Sequence, residues 1–105
     1  MCGILGIQTR TIPTPTKLVE EMTRTLTHRG PDTQKCEFFP EHNIGLGHTR
    51  LSIIDLTESG SQPMSNQEGS IWVVFNGEIY NHVQLRRQLQ SRGHKFSGSS
   101  DTEVI

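Results

Sequence analysis

From Ile44 to Thr49 the chain reads Ile-Gly-Leu-Gly-His-Thr, and this stretch limits the fold more than any other. Ile44, Leu46 and His48 alternate with Gly45, Gly47 and Thr49, the pattern of a strand with one face nearly bare of side chains. A bare face lets another element come close. The run continues Arg50-Leu51-Ser52-Ile53-Ile54-Asp55. A guanidinium beside an apolar run is costly unless paired, and its fork fits a carboxylate through both oxygens. Asp32 or Asp55 would make a structural partner, and a ligand carboxylate would serve equally. His48 reads as a satisfied core histidine, at most a helper in a site.

The other elements follow from periodicity. Ile4, Leu5 and Ile7 read as a buried first strand, with Gly6 permitting close packing. Leu18, Val19, Met22 and Leu26 recur at helical spacing, with Thr14 as cap, Pro15 at the first helical position and an end near His28. The stretch His28-Arg29-Gly30-Pro31-Asp32 is a turn by composition, or else one wall of a site. Gln34 to Phe39 reads as a strand with Cys36 and Phe38 on one face, and Cys36 as a small core residue. Leu56 to Ser70 reads as a long loop over a site. Ile71 to Phe75 is the strongest strand signal in the chain. Asn81 caps a second helix through Val83, Leu85 and Leu89 to Gly93, with Arg86, Arg87 and Arg92 toward solvent. Phe96 opens a last partial element, and Ser97 to Ser100 is a flexible connector that delivers Asp101.

Two short motifs carry chemistry. In Met1-Cys2-Gly3, loss of Met1 would place a thiol and a free α-amine on one residue, a nucleophile joined to its own base. Cys2 alone proves little, since most chains with cysteine there use it for nothing. Asn76-Gly77 is a tight-turn pair. The same pair can aim a side-chain amide and a backbone N–H at one point, as an oxyanion hole does.

Composition excludes several classes. The 105 residues suit one domain at most, and the count of 10 Lys plus Arg against 11 Asp plus Glu gives no attraction for nucleic acid or an anionic membrane. No apolar run approaches a membrane span, and the amino terminus lacks a secretory pattern. A cytoplasmic location is the default, with Cys2 and Cys36 reduced. The cysteines have no zinc spacing, so no metal is expected. The chain stops on Asp101-Thr102-Glu103-Val104-Ile105, where an apolar stretch begins, and this reads as a truncation.

Six pieces in order resemble a known family. They are Met1-Cys2-Gly3-Ile4, His28 to Asp32, Gly47 to Asp55, Gln62-Pro63-Met64, Phe75 to Asn81, and Ser100-Asp101-Thr102-Glu103. Together they resemble the class II glutamine amidotransferase domain of the amino-terminal-nucleophile type, and most of all that of glutamine-hydrolysing asparagine synthetases. The resemblance implies an α+β fold, an α/β/β/α sandwich of stacked antiparallel sheets, incomplete here at the carboxyl end. Residues 1–105 would be the amino-terminal part of the domain, marginally stable if alone. A downstream ATP-dependent synthetase domain, with ATP, magnesium and aspartate, would be missing.

The roles it implies are specific. Cys2 attacks the carboxamide of glutamine. Asn76 and Gly77 hold the oxyanion. Arg50 grips the α-carboxylate, Asp101 with Glu78 receives the α-ammonium, and Leu51 and Ile53 give backbone or wall contacts. This segment would need no cofactor, and the parent enzyme would pass ammonia to activated aspartate. Its homo-oligomeric state stays open. The alternatives are an amidotransferase domain of another amide-forming synthetase and a non-catalytic small cytosolic binding fragment.

Overall fold

The computed structural model describes residues 1–10, 12–52 and 58–105. Its strands are β1 (Gly3–Gln8), β2 (Thr33–Phe39), β3 (Ile44–Arg50), β4 (Met64–Ser65) and β5 (Trp72–Val73); its helices are α1 (Thr16–Arg24) and α2 (His82–Ser91). Single helical turns lie at Pro40–His42, Glu58–Gly60 and Thr102–Val104. The class is α+β, with antiparallel sheets and flanking helices.

The glycine-bearing strand is the centre of the first sheet, whose order is β1-β3-β2. Both neighbours run antiparallel to it, with Gly3 opposite Thr49, Leu5 opposite Gly47 and Cys36 opposite Gly47. Alternation then gives β3 two unlike faces. One carries Gly45, Gly47 and Thr49 and takes α1. A Cβ on Gly45 would lie 2.6 Å from Val19 Cγ2, and one on Gly47 would overlap the Thr23 hydroxyl. Val19 and Thr23 are fully buried as a result. Thr23 satisfies its hydroxyl on Val19 O at 2.7 Å, and Cys36 Sγ donates to that hydroxyl at 3.4 Å. The other face carries Ile44, Leu46, His48 and Arg50 toward the second, two-stranded sheet of β4 and β5. Phe39 meets Trp72 edge-on between the sheets, with ring centroids 5.3 Å apart.

Several details differ from the sequence reading. Helix α1 starts at Thr16 after Pro15, and its inward face is Val19, Met22 and the polar Thr23, while Leu18 is exposed. The stretch 25–30 continues as tight turns, with Arg29 N on Leu26 O and Gly30 N on Thr27 O. Ile4 is 48% exposed, because β1 is an edge strand and Ile4 points away from α1. Only Trp72 and Val73 of the run Ile71 to Phe75 pair in a ladder. Side chains capture the flanks instead: Asn66 Oδ1 accepts from Ile71 N at 3.1 Å, and Gln62 Oε1 accepts from Phe75 N. Segment 58–70 is thus a turn, a short strand and an asparagine-stapled hairpin rather than an open loop. Arg86 does not face solvent; its side chain is 16% exposed. Asn81 stands at the start of α2 without a side-chain capping bond, and the helix ends before Gly93 at φ 92°.

The close contact of β3 with α1 sets a test. Gly47→Val should lower unfolding free energy by about 1–3 kcal/mol or more, since β-branched bulk must displace Thr23. Gly6→Ala should be near neutral, because its new Cβ would sit 3.7 Å from Leu46 Cδ2, ordinary contact. Denaturant midpoints of the two variants and the wild type measure the difference.

Candidate active site

Cys2 precedes β1 and lies beside the end of β3. Its sulfur is fixed by the backbone of Leu51, whose N–H donates to Sγ at 3.5 Å. Cys2 N donates to Asn76 Oδ1 at 3.1 Å, a contact across 74 positions of sequence. That choice leaves the donor end of the amide, Nδ2, for another acceptor. The position of Cys2 is set one residue further on. Gly3 N donates to Thr49 Oγ1 at 3.1 Å, and the same hydroxyl donates to Leu26 O at 3.0 Å. Thr49 is wholly buried, so this relay ties β1, β3 and the turn after α1 away from competing water.

A cavity of about 680 Å³ opens at this point, within the range of small-ligand sites. Its wall brings together Cys2, Arg50, Leu51, Asn76, Gly77, Glu78 and Asp101. Thus seven of the eight residues singled out from sequence share one concavity, while Ile53 and Asp55 fall outside the described residues. Arg50 is 8% exposed. The Asp32 carboxylate accepts from Ser52 N at 2.7 Å, and Asp32 N donates to Arg50 O at 3.0 Å. Among the described residues lining the cavity, none comes from 28–32, so that stretch is a turn whose Gly30 packs under Thr49 and Arg50. Asp101 is oriented by two backbone donors: Ile79 N reaches Oδ2 at 2.8 Å and Thr102 N reaches Oδ1 at 2.9 Å.

Some wall residues escaped the sequence reading. Gln62 is buried, accepts from Phe75 N through Oε1 and donates to Thr102 Oγ1 through Nε2 at 3.3 Å. It joins the strand entering Asn76 to the turn carrying Asp101. Its place in a Gln-Pro-Met piece was visible; its pairing across the site was not. His48 is a core histidine at 2% exposure, but its Nε2 has no hydrogen-bond partner among the described residues. His82 at the head of α2 likewise buries an unpartnered Nδ1 in this wall. Among the described residues no group of three or more His, Cys, Asp and Glu is placed to hold a metal ion, and no helix is long and apolar enough to cross a membrane.

The glutamine amidotransferase domain family matches residues 1–105. The chain belongs to that family. Among its relatives, asparagine synthetase 1 (glutamine-hydrolysing) of Bacillus subtilis is 40% identical over 109 residues, covering 100% of this chain and 17% of that protein. The glutamine-hydrolysing asparagine synthetase of Asparagus officinalis is 45% identical over 108 residues, again 100% of this chain and 17% of the relative. Amidase chry2 of Gibberella zeae is 45% identical over 92 residues, 85% of this chain and 14% of that protein. This amidotransferase domain therefore spans about a sixth of the length of the curated relatives it matches.

The buried imidazole of this domain gives a pH prediction. Burial pushes the His48 pKa below 6.5, the nearby Phe75 backbone partly opposes this, and the Arg50 charge lowers it further. The folded state therefore binds this proton more weakly than the unfolded chain does. The His48 contribution to stability is complete above about pH 6.5 and is lost as pH falls through the lower folded-state value. Thermal unfolding should shift to lower temperature between neutrality and mildly acidic pH, and His48→Gln should flatten that slope.

Proposed function

We propose that this domain hydrolyses glutamine to glutamate and ammonia at Cys2. The observation that carries the reading is the joint fixation of Cys2: its nitrogen on Asn76 Oδ1 and its sulfur on Leu51 N, at the mouth of a cavity holding Arg50 and Asp101. Removal of Met1 turns the Cys2 N–H into an amine at the same place. That amine takes the thiol proton while Sγ bonds to the side-chain carbonyl carbon. The carbonyl electron pair moves onto oxygen, which Asn76 Nδ2 and Gly77 N–H receive; one such donor contributes about 3–4 kcal/mol. The amine returns the proton to nitrogen, the C–N bond breaks and ammonia leaves a γ-glutamyl thioester. Water, deprotonated by the amine, then cleaves the C–S bond to give glutamate. Arg50 pairs with the α-carboxylate through its fork. Asp101 and Glu78 receive the α-ammonium, with Leu51 and Ile53 as wall contacts.

In this reading residues 1–105 form the amino-terminal part of the amidotransferase region of a cytoplasmic asparagine synthetase. Ammonia passes to aspartate activated by ATP and magnesium in a further domain. Full-length coverage of this chain by synthetase relatives supports that acceptor. The match to Amidase chry2 supports a second reading, in which the same glutaminase chemistry serves another amide-forming acceptor.

A glutamine-shaped diazomethyl ketone tests the chemistry. It should alkylate Cys2 and no other residue, and only in protein that has lost Met1; intact mass reads both. Glutaminase activity undiminished in protein retaining Met1 would refute the amine as base. Steady-state kinetics should separate two roles. Arg50→Leu should raise KM by about tenfold or more with kcat little changed, since it loses a contact made in ground and transition states alike. Asn76→Ala should lower kcat by about a hundredfold or more, through loss of an oxyanion donor.

A further inference from the structure

The segment that brings Asp101 to the cavity is Ser97-Gly98-Ser99-Ser100, which has no apolar side chain to anchor it. Its order comes from a charged pair on either side. Arg86 of α2 donates through Nη1 to Gly98 O and through Nη2 to Ser100 O, each at 2.7 Å. Glu103 accepts from Ser97 N at 2.5 Å and from Gly98 N at 3.1 Å. The two charges meet at 3.5 Å, with both side chains 16% exposed, and the guanidinium lies 4.3 Å from the Phe96 ring centroid. The cation thus takes the carbonyls of the loop and the anion takes its amides. Charge-assisted bonds at such geometry are about twice as strong as neutral ones, and a planar fork fixes direction as well as distance.

The clamp ends one residue before Asp101. Beyond it, Ile79 N and Thr102 N orient the carboxylate. Without the clamp, four small polar residues would release the Asp101 backbone toward solvent. The cysteine, Asn76 and Arg50 are carried by other elements and would stay in place.

We propose that Arg86 and Glu103 act as positioning residues that set the substrate class, by holding Asp101 where it selects amides bearing an α-ammonium over amides without one. This rests on the glutaminase reading above. Neither residue touches the reacting atoms. Their effect is confined to the ammonium end of the substrate, while the carboxamide and α-carboxylate ends are recognised elsewhere.

The test compares two Cys2-directed probes on the protein with Met1 removed: a glutamine-shaped diazomethyl ketone and its counterpart lacking the α-amino group. The wild type should react faster with the amine-bearing probe. Arg86→Leu should reduce that preference by about tenfold or more, through weaker binding of the amine-bearing probe alone, with labelling by the other unchanged. For glutamine, KM should rise and kcat should hold. Arg86→Lys, which keeps the charge and loses the fork, should recover part of the preference. Glu103→Gln, which keeps the volume, should erode it, and it decides the matter with Arg86→Lys if Arg86→Leu does not fold. Variants with lowered melting temperature but an undiminished preference would overturn the clamp as a determinant of specificity. A wild type whose Cys2 reacts with neither probe would instead overturn the glutaminase reading, and the clamp's role with it.

Discussion

Close approach of α1 to the glycine face of β3 is the constraint on which the rest depends. With no side chain at Gly45 or Gly47, Val19 and Thr23 fill the space and leave no layer of apolar bulk between helix and strand. Thr49 then replaces packing with polar connection. Its hydroxyl bonds the first residue of β1 and the turn after α1 together, which pins the register of the strand where it begins at Gly3. Cys2 inherits that precision. On the opposite face of β3 the spacing of two puts His48 and Arg50 side by side toward the cavity. One strand therefore serves as core on one side and as site wall on the other.

The far wall is built differently. Its ladder is two residues long on each strand. Its geometry instead comes from side chains that bond backbone: Gln62 to Phe75, Asn66 to Ile71, Asp101 to Ile79, and the Arg86 fork to the loop before Asp101. Such bonds fix irregular backbone that neither helix nor ladder can satisfy. They also make that wall sensitive to single polar substitutions, whereas the α1–β3 side answers mainly to changes in volume.

Much of this was legible in sequence because it rests on local pattern. Alternation located β3 and its bare face, helical spacing located α1 and α2, and the six ordered pieces named the family and gathered seven residues that share the cavity. What was illegible depends on partners far along the chain. Arg86 looks like a solvated residue beside Arg87, and only the fold shows that Gly98 and Ser100 turn their carbonyls toward it. Ile71 to Phe75 has the composition of a long strand, but Asn66 and Gln62 outcompete a ladder at both ends. Ile4 looks buried by composition, yet its exposure follows from β1 lying at the sheet edge. The stretch 28–32 reads as a turn or else a site wall, and the fold uses it as the turn, with Gly30 passing beneath β3.

The contact between Cys2 N and Asn76 Oδ1 has a wider consequence. A carboxamide is a rigid plane with an acceptor at one corner and donors at the other. In the proposed chemistry the acceptor corner faces the amine and the donor corner faces the developing oxyanion. A half-turn of this one group would spoil both contacts together, presenting donors to a donor and a lone pair to a negative charge. The polarity of the site is therefore a single binary property of one side-chain torsion. Aspartate in its place would erase that polarity altogether, since two equivalent oxygens can only accept.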